Sequence, residues 1–258
     1  DQGLRIKLRF KAPEMAYLPW EFMYDPNQGE YLCLSADTPL IRYIPLPRPP
    51  QSLQVQLPLS VLGMVANPKD YEPLNVEKEQ HLLEQALMPL TSRGILELKW
   101  LEGESWRDLQ GAMRRGPWHI FHFIGHGGFD QKNDQGLLIL TGDDGNGDPI
   151  NATNLGRLLE GHKSLRLVVL NACEGALGSE LDIFSSTSSI LVRRGLPAVL
   201  AMQYPITDRA ALEFSRAFYE AIADNLPVDT AVTEARKAIV LEIDNTVEWG
   251  VPVLHTRA

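Results

Sequence analysis

The sequence lacks the features that mark several common classes of protein. Only two of its 258 residues are cysteines, Cys33 and Cys173, and their wide separation argues against a disulfide scaffold or a C-x-x-C zinc or redox site. No apolar run approaches the roughly 20 residues that span a bilayer, and the N-terminal stretch has no signal-peptide pattern. We therefore predict a cytoplasmic location.

Basic charge is also in the minority. The chain has 24 Lys and Arg residues against 33 Asp and Glu residues, a net charge of -9, so we expect it to contact neither nucleic acid nor a membrane. The glycine-rich stretch 125–128 matches neither G-x-G-x-x-G nor a P-loop, which leaves nucleotide binding without support. No G-x-S-x-G motif is present, which argues against a serine hydrolase of that type.

What the sequence does contain is an alternation of short apolar strands and helices. Strands are predicted at 59–66, 95–101, 117–124, 165–171, 198–204 and 251–255, and a hairpin at 136–148. Helices are predicted at 76–93, 106–115, 154–160, 185–195, 208–225 and 229–243. Apolar strands separated by helices predict an α/β fold with a mostly parallel sheet covered by helices on both faces.

A proline-rich stretch divides this pattern from the N-terminal part of the chain. Prolines at 45, 47, 49, 50 and 58 are incompatible with a helix and unfavourable in a central strand. Before them, short strands at 4–10, 30–34 and 40–44 and an aromatic-rich short helix at 18–24 predict a small β-rich subdomain. We therefore predict an N-terminal subdomain at 1–50 and a catalytic domain at 51–258.

Two strand ends carry residues that could perform chemistry. In α/β sheets, ligands sit beyond the carboxyl ends of the strands. Here one strand is followed by Gly125-His126-Gly127-Gly128 and another by Asn171-Ala172-Cys173-Glu174-Gly175. A free cysteine is most often a buried hydrophobe, but small residues after Cys173 leave room above its sulfur. His126 could act as its base, and the Gly127 N–H as an oxyanion donor.

The other polar clusters point to structural roles. His119, His122 and His126 lie along one predicted strand, and residues four apart on a strand are separated by about 13 Å, too far to share one ion. We expect His119 and His122 to be packed and hydrogen-bonded. The acidic stretch 143–148 predicts a hairpin turn rather than a calcium loop, because Asn154 stands where an EF-hand requires Glu. No metal and no cofactor are expected.

The two strand-end motifs together resemble the caspase-like cysteine proteases, and more closely the CHAT domain, a caspase-like branch related to separase. Five landmarks recur over nearly the whole chain. They are Leu18-Pro19-Trp20-Glu21, Thr38-Pro39-Leu40-Ile41-Arg42, His126-Gly127 with Asn171-Ala172-Cys173, Ala201-Met202-Gln203-Tyr204, and Glu248-Trp249-Gly250-Val251-Pro252-Val253-Leu254. Many members have Ser where this chain has Gly175, a position outside the dyad.

The resemblance implies a cysteine endopeptidase. Cys173 would attack the scissile carbonyl, His126 would protonate the leaving amine, and the N–H groups of Gly127 and Cys173 would hold the oxyanion. It also implies a specific protein substrate and control by a partner or a fused TPR or signalling domain. The alternatives are a catalytically silent adaptor and a small-molecule-binding α/β domain, and the presence of both dyad residues favours the protease.

The resemblance also bears on substrate preference. In separase an acidic residue pairs with the P1 arginine, and the matching position here is Pro205, which has no charge. A pocket lined by Asn171, Met202, Gln203 and Tyr204 would be neutral and would favour an uncharged P1 side chain. Glu174 could restore a basic preference. We expect Asp208 to cap the helix at 208–225 and Asp229 to cap the helix at 229–243.

Overall fold

The fold is a sheet of ten strands with helices on both faces, which confirms the predicted α/β class. The computed structural model describes residues 4–46, 57–133, 135–173 and 183–257. The strands are β1 (Ile6–Leu8), β2 (Tyr24–Asp25), β3 (Glu30–Tyr31), β4 (Leu40–Tyr43), β5 (Leu59–Val65), β6 (Leu96–Trp100), β7 (Ile120–Asp130), β8 (Gln135–Thr141), β9 (Gly147–Asn151), β10 (Leu167–Cys173), β11 (Ala198–Met202) and β12 (Pro252–Thr256). The helices are α1 (Pro13–Ala16), α2 (Val76–Thr91), α3 (Trp106–Arg114), α4 (Ala152–Leu159), α5 (Ile183–Arg193), α6 (Asp208–Ala223) and α7 (Val228–Glu242).

Most of the sheet is parallel. Its order is β1-β4-β12-β11-β10-β7-β5-β6, and the five strands from β11 to β6 run parallel to one another. The last strand, β12, pairs antiparallel with β11. β8 pairs antiparallel with the carboxyl-terminal part of β7. β8 and β9 form an antiparallel hairpin at the acidic turn, as the sequence predicts. The carboxyl ends of parallel strands lie side by side at the same end of the sheet. The predicted site residues of β7 and β10 lie at this end.

Alternation along the strands fills two separate cores. Ile120 and Val169 face α2, α6 and α7, whereas Phe121 and Val168 face α3, α4 and α5. All four side chains are at most 3% exposed. A strand buried on both faces must be apolar at successive positions, which explains why these strands read as continuous apolar runs. Among the described residues, no helix is both long and apolar enough to cross a membrane.

The N-terminal segment shares this sheet. β1 pairs with β4, and β4 pairs with β12, so the early strands extend the main sheet at the edge opposite β6. Only β2 and β3 form a separate two-stranded sheet. The predicted boundary at residue 50 lies outside the described residues, and the division into two domains stays a prediction.

Three local predictions differ from the structure. The predicted helix at 18–24 is instead a short 3₁₀ turn at Trp20–Phe22. Asp208 is not the N-cap of α6: Thr207 is, and its side chain accepts the Ala210 N–H. Asp229 lies inside α7, 3% exposed, and forms an ion pair with Arg5. The N-cap position of α7 is Pro227, and no side chain caps that helix, because Asp229 is paired with Arg5 instead.

Candidate active site

The site lies where β7 and β10 run side by side. These parallel strands are in register from Leu167 opposite Ile120 to Cys173 opposite His126. Neighbouring strands are about 4.8 Å apart, so the backbones of the two candidate residues are adjacent. Residues 47 positions apart in the sequence are thus brought together by strand pairing. The Cys173 side chain lies outside the described part of the chain, as does the whole of Glu174.

His126 is deeply buried. Its side chain is 2% exposed, and neither ring nitrogen makes a hydrogen bond of good geometry with a described residue, although the Glu72 backbone lies close enough to act on the ring. Burial lowers the pKa of His126, while the backbone and carboxylate of Glu72 act in the opposite direction. The net effect favours the neutral imidazole at pH 7, which is the form that can accept a proton.

An aromatic ring covers one side of His126. The ring centroids of Tyr71 and His126 are 5.3 Å apart, with an angle of 34° between the ring planes. Tyr71 belongs to the loop at residues 66–75, which follows β5 and therefore emerges at the same edge of the sheet as His126 and Cys173. This ring contact and the nearby Glu72 define the environment of the imidazole on that side.

The loop at 66–75 is held by several hydrogen bonds. The Asn67 amide exchanges bonds with the backbone of Leu74, and the Asn67 N–H donates to Glu104 Oε2 at 2.9 Å. The Asp70 carboxylate accepts the Gly147 N–H at 2.7 Å, which ties the loop to β9. The sequence analysis assigned no functional residue to this segment. The rule that strand ends carry sites, applied to β5, would have found it.

Gly127 lies within a strand, whereas the sequence predicted that this strand ends at residue 124. β7 continues to Asp130, and Gly127 stands opposite Leu138 of β8. The Ile124 carbonyl accepts the N–H of Ala66, which follows β5, so the backbone groups of Ile124 are directed to the β5 side. Backbone groups alternate sides along a strand. The Gly127 N–H, three residues on, is therefore directed to the β10 side, where that strand ends at Cys173.

The predicted substrate-binding residues fall into two groups. Asn171 is half-buried in β10, and Tyr204 is 45% exposed. Met202, by contrast, is 6% exposed and packs in the core. The Gln203 side chain is occupied as well: its Nε2 donates to the Gly250 carbonyl at 2.7 Å. The structure thus gives Met202 and Gln203 structural contacts in place of the pocket wall that the sequence predicted.

Gln203 belongs to a buried polar network that unites the family landmarks. Arg42 donates to both carboxylate oxygens of Glu21, at 3.2 and 2.7 Å, and each of these side chains is 2% exposed. Gln203 accepts from Arg42 at 3.3 Å and donates to Glu21 at 3.2 Å. Arg42 also donates to the Ala16 and Leu18 carbonyls. The network joins the N-terminal segment, the end of β11 and the terminal segment.

His119, which directly precedes β7, and His122, which lies within it, are packed and hydrogen-bonded, as predicted. His119 Nδ1 accepts the Ser60 N–H at 2.9 Å. His122 is 3% exposed, and its Nδ1 lies 2.8 Å from the Tyr219 hydroxyl. Burial lowers the pKa of His122 to about 4. Across residues 4–46, 57–133, 135–173 and 183–257, no three His, Cys, Asp or Glu side chains are grouped to hold a metal ion.

Comparison with known proteins identifies the family. The family model described as CHAT domain matches residues 4–250, nearly the whole chain. A search of curated proteins finds no match. Two crystal structures of the Saccharomyces cerevisiae separase–securin complex are similar at 18% and 17% identity, with TM-scores of 0.42 and 0.41, and each match covers 78% of this chain. The crystal structure of the Arg-specific cysteine proteinase gingipain R (RgpB) is similar at 12% identity, with a TM-score of 0.48, over 77% of this chain.

These structural likenesses are distant and partial. The matched region is 12% and 13% of the two separase chains and 46% of the gingipain chain. The family model, in contrast, matches nearly the whole chain. It includes all five landmarks except the last residues of the terminal segment. The predicted resemblance is confirmed, and the chain belongs to the CHAT domain family.

Proposed function

We propose that this chain is a cysteine endopeptidase in which Cys173 is the nucleophile and His126 the general acid–base residue. The observation that carries the proposal is the register that sets Cys173 directly opposite His126 on adjacent parallel strands. Paired residues on neighbouring strands project to the same face of a sheet. The thiol and the imidazole would therefore be neighbours, and a neutral His126 could accept the thiol proton.

In this mechanism the thiolate of Cys173 attacks the scissile carbonyl, and the carbonyl oxygen becomes an oxyanion. The Gly127 and Cys173 N–H groups, which face each other's strand where the ends of β7 and β10 pair, would donate to that oxygen once these strand ends separate. His126 then gives its proton to the leaving amine, which breaks the peptide bond and leaves an acyl-enzyme. Water hydrolyses the thioester and restores the thiol. No step uses a metal or a cofactor.

Control of access is part of the proposal. His126 is 2% exposed, so a substrate could not approach its ring without movement of the covering residues, which include Tyr71. A protein partner or a fused domain that moves the loop at 66–75 would open the site. We propose Asn171, Glu174 and Tyr204 as the residues that meet the substrate, and a neutral or apolar P1 side chain, since Pro205 offers no charge.

The proposal is tested with a covalent cysteine-directed peptide probe and a peptide library, each with and without candidate partners. We expect the probe to label Cys173, and cleavage to persist in EDTA. Labelling that is lost in Cys173→Ala but retained in Cys33→Ala would support the assignment. An intact chain that neither reacts with probes nor cleaves any peptide with its partner bound would instead be the silent adaptor.

A strong preference for P1 arginine would contradict the neutral pocket. Repeating the library with Glu174→Gln separates the two possible sources of such a preference. If the arginine preference disappears in this variant, Glu174 supplies the charge; if it survives, another carboxylate must reach the pocket.

A further inference from the structure

A basic cavity lies where the parallel strands β10 and β11 begin, at the opposite end of these strands from the candidate active site. It has a volume of about 390 Å³ and is bounded by the approaches to β10 and β11 and by the residue that follows β12. β10 runs from this edge to Cys173 over seven residues, so about 20 Å separates the cavity from the proposed nucleophile. The cavity is therefore a separate feature of the fold.

The charge of the cavity contrasts with that of the chain. Its lining includes Arg166, Arg194, Arg257 and Lys163 against one carboxylate, Glu160. The whole chain, by comparison, has a net charge of -9. A local excess of positive charge in an acidic protein is a concentrated field that attracts an anion.

Arg257 has unused donors at this cavity. Its side chain makes no ion pair or hydrogen bond with any described residue. The Nε atoms of Arg257 and Arg166 are out of reach of solvent and have no partner among the described residues, so they do not meet a ligand directly. The terminal Nη groups of Arg257 are the donors that a ligand in the cavity would satisfy.

Structural roles account for only part of this cluster. Arg194 lies after the end of α5, packs against Gly156 and forms an ion pair with Glu160 at 3.2 Å, so its charge is already used. Arg166 donates to the Lys163 and Leu165 carbonyls through Nη1, which leaves its Nη2 without a partner among the described residues. Arg257 follows a strand, so no helix terminus explains its position.

We propose that this cavity binds the phosphate group of a small phosphorylated molecule, with Arg166 and Arg257 as the principal donors. A phosphate monoester carries a charge of about -1.5 to -2 at pH 7, which suits several cations better than a carboxylate does. Guanidinium groups bind phosphate oxygens through paired, charge-assisted hydrogen bonds. Leu159 and Leu196 in the lining offer an apolar surface for the organic part of the ester.

Calorimetric titration at constant ionic strength tests the proposal, with inorganic phosphate, phenyl phosphate and benzoate as the probes. We expect saturable 1:1 binding of both phosphates, tighter for phenyl phosphate, and much weaker binding of benzoate. Arg257→Gln should bind phenyl phosphate at least about tenfold more weakly, since it removes a charge-assisted donor. Arg114→Gln, an exposed arginine on α3, is the matched control and should bind like the wild type.

Two further variants keep the test decisive. Arg166→Gln should weaken binding as Arg257→Gln does, and it replaces that variant if circular dichroism shows that Arg257→Gln is unfolded. Cys173→Ala should bind like the wild type, which makes the result independent of the proposed protease activity. The proposal is overturned if no probe binds saturably, if benzoate binds as tightly as phenyl phosphate, or if both folded arginine variants retain wild-type affinity.

Discussion

Arg42 and His126 are equally buried, each 2% exposed, yet their surroundings are opposite. Arg42 donates to the Glu21 carboxylate, to Gln203 and to two backbone carbonyls. Neither ring nitrogen of His126 has a partner among the described residues. A buried polar group that is fully hydrogen-bonded specifies structure, whereas one that is left unbonded needs another explanation. For His126 the proposed pairing with Cys173 on the adjacent strand would supply one.

The largest effect is expected when a residue of the proposed dyad is removed. Cys173→Ala should abolish peptide cleavage, and His126→Ala should lower kcat/KM by about two to four orders of magnitude, the usual range for a general acid–base residue. Both variants should keep the wild-type fold, and steady-state peptide kinetics measure the effect.

The control for the nucleophile is the second cysteine. Cys33 is fully buried in the core, and burial raises the pKa of its thiol, with Arg236 opposing the shift. Cys33→Ala should keep near-wild-type activity. If Cys33→Ala were inactive while Cys173→Ala cleaved peptides, the assignment of the nucleophile would be wrong.

The counterpart experiment removes Arg42. Arg42→Met should lower the free energy of unfolding by about 3–5 kcal/mol, because Glu21 would be left as an uncompensated buried charge. Denaturant unfolding measures the loss. The double variant Glu21→Gln with Arg42→Met should recover much of it, since no buried charge then remains. A single variant that loses less than about 1 kcal/mol would show that the network is solvated.

A third test uses His122, which is buried on the same strand as His126 but hydrogen-bonded. Its pKa is about 4 in the folded chain against 6.5 as the ordinary value. Between about pH 4 and pH 6.5 the unfolded chain therefore binds more protons than the folded chain. The free energy of unfolding should fall as the pH drops through this range. The full contribution is about 3 kcal/mol, at about 1.4 kcal/mol per pKa unit.

The measurement is a set of denaturant curves at several pH values. His122→Gln should remove this part of the pH dependence, whereas His81→Gln, at an exposed position of α2, should leave it unchanged. Because His255 is also fully buried with a lowered pKa, some slope of the same sign should remain in His122→Gln. An unchanged slope in that variant would mean that His122 is not the group that titrates.

The smallest effect is expected at Tyr71, whose ring covers His126. Tyr71→Ala should raise kcat/KM measured without a partner by about tenfold, an estimate for removing a cover worth about 1.4 kcal/mol. It should also move the acidic limb of the pH–rate profile to higher pH, because water would reach the imidazole and its pKa would rise towards the ordinary value. Tyr71→Phe keeps the ring and should behave like the wild type. Equal gains in both variants would assign the covering role to the hydroxyl, and a loss of activity in Tyr71→Ala would contradict the covering role.

Sequence patterns predicted much of this molecule correctly where the signal is local. The apolar runs of β5, β10 and β11 are buried on both faces, so they are recognisable without knowledge of their partners. The Asp/Gly-rich stretch at 143–148 encodes its own hairpin turn. His126 and Cys173 were found because each follows an apolar run that had to be a strand.

Other features depend on which segments meet, and no local pattern contains that information. The continuation of β7 to Asp130 requires β8 as a partner. The hydrogen bond from Gln203 to Glu21 joins residues 182 positions apart. The contact of Tyr71 with His126 requires β5 and β7 to be neighbouring strands.

The sequence by itself therefore determined the order of strands and helices, the apolar faces, and the residue types at two strand ends, since hydrophobic periodicity and turn chemistry act over a few residues. The tertiary structure alone decided that Cys173 stands opposite His126, that Arg42 is hydrogen-bonded by several described residues while His126 is not, and that three arginines gather at the opposite end of the parallel strands. Register and hydrogen-bond partnership are settled by the pairing of distant segments, where each buried polar group is bonded only if another part of the chain arrives beside it.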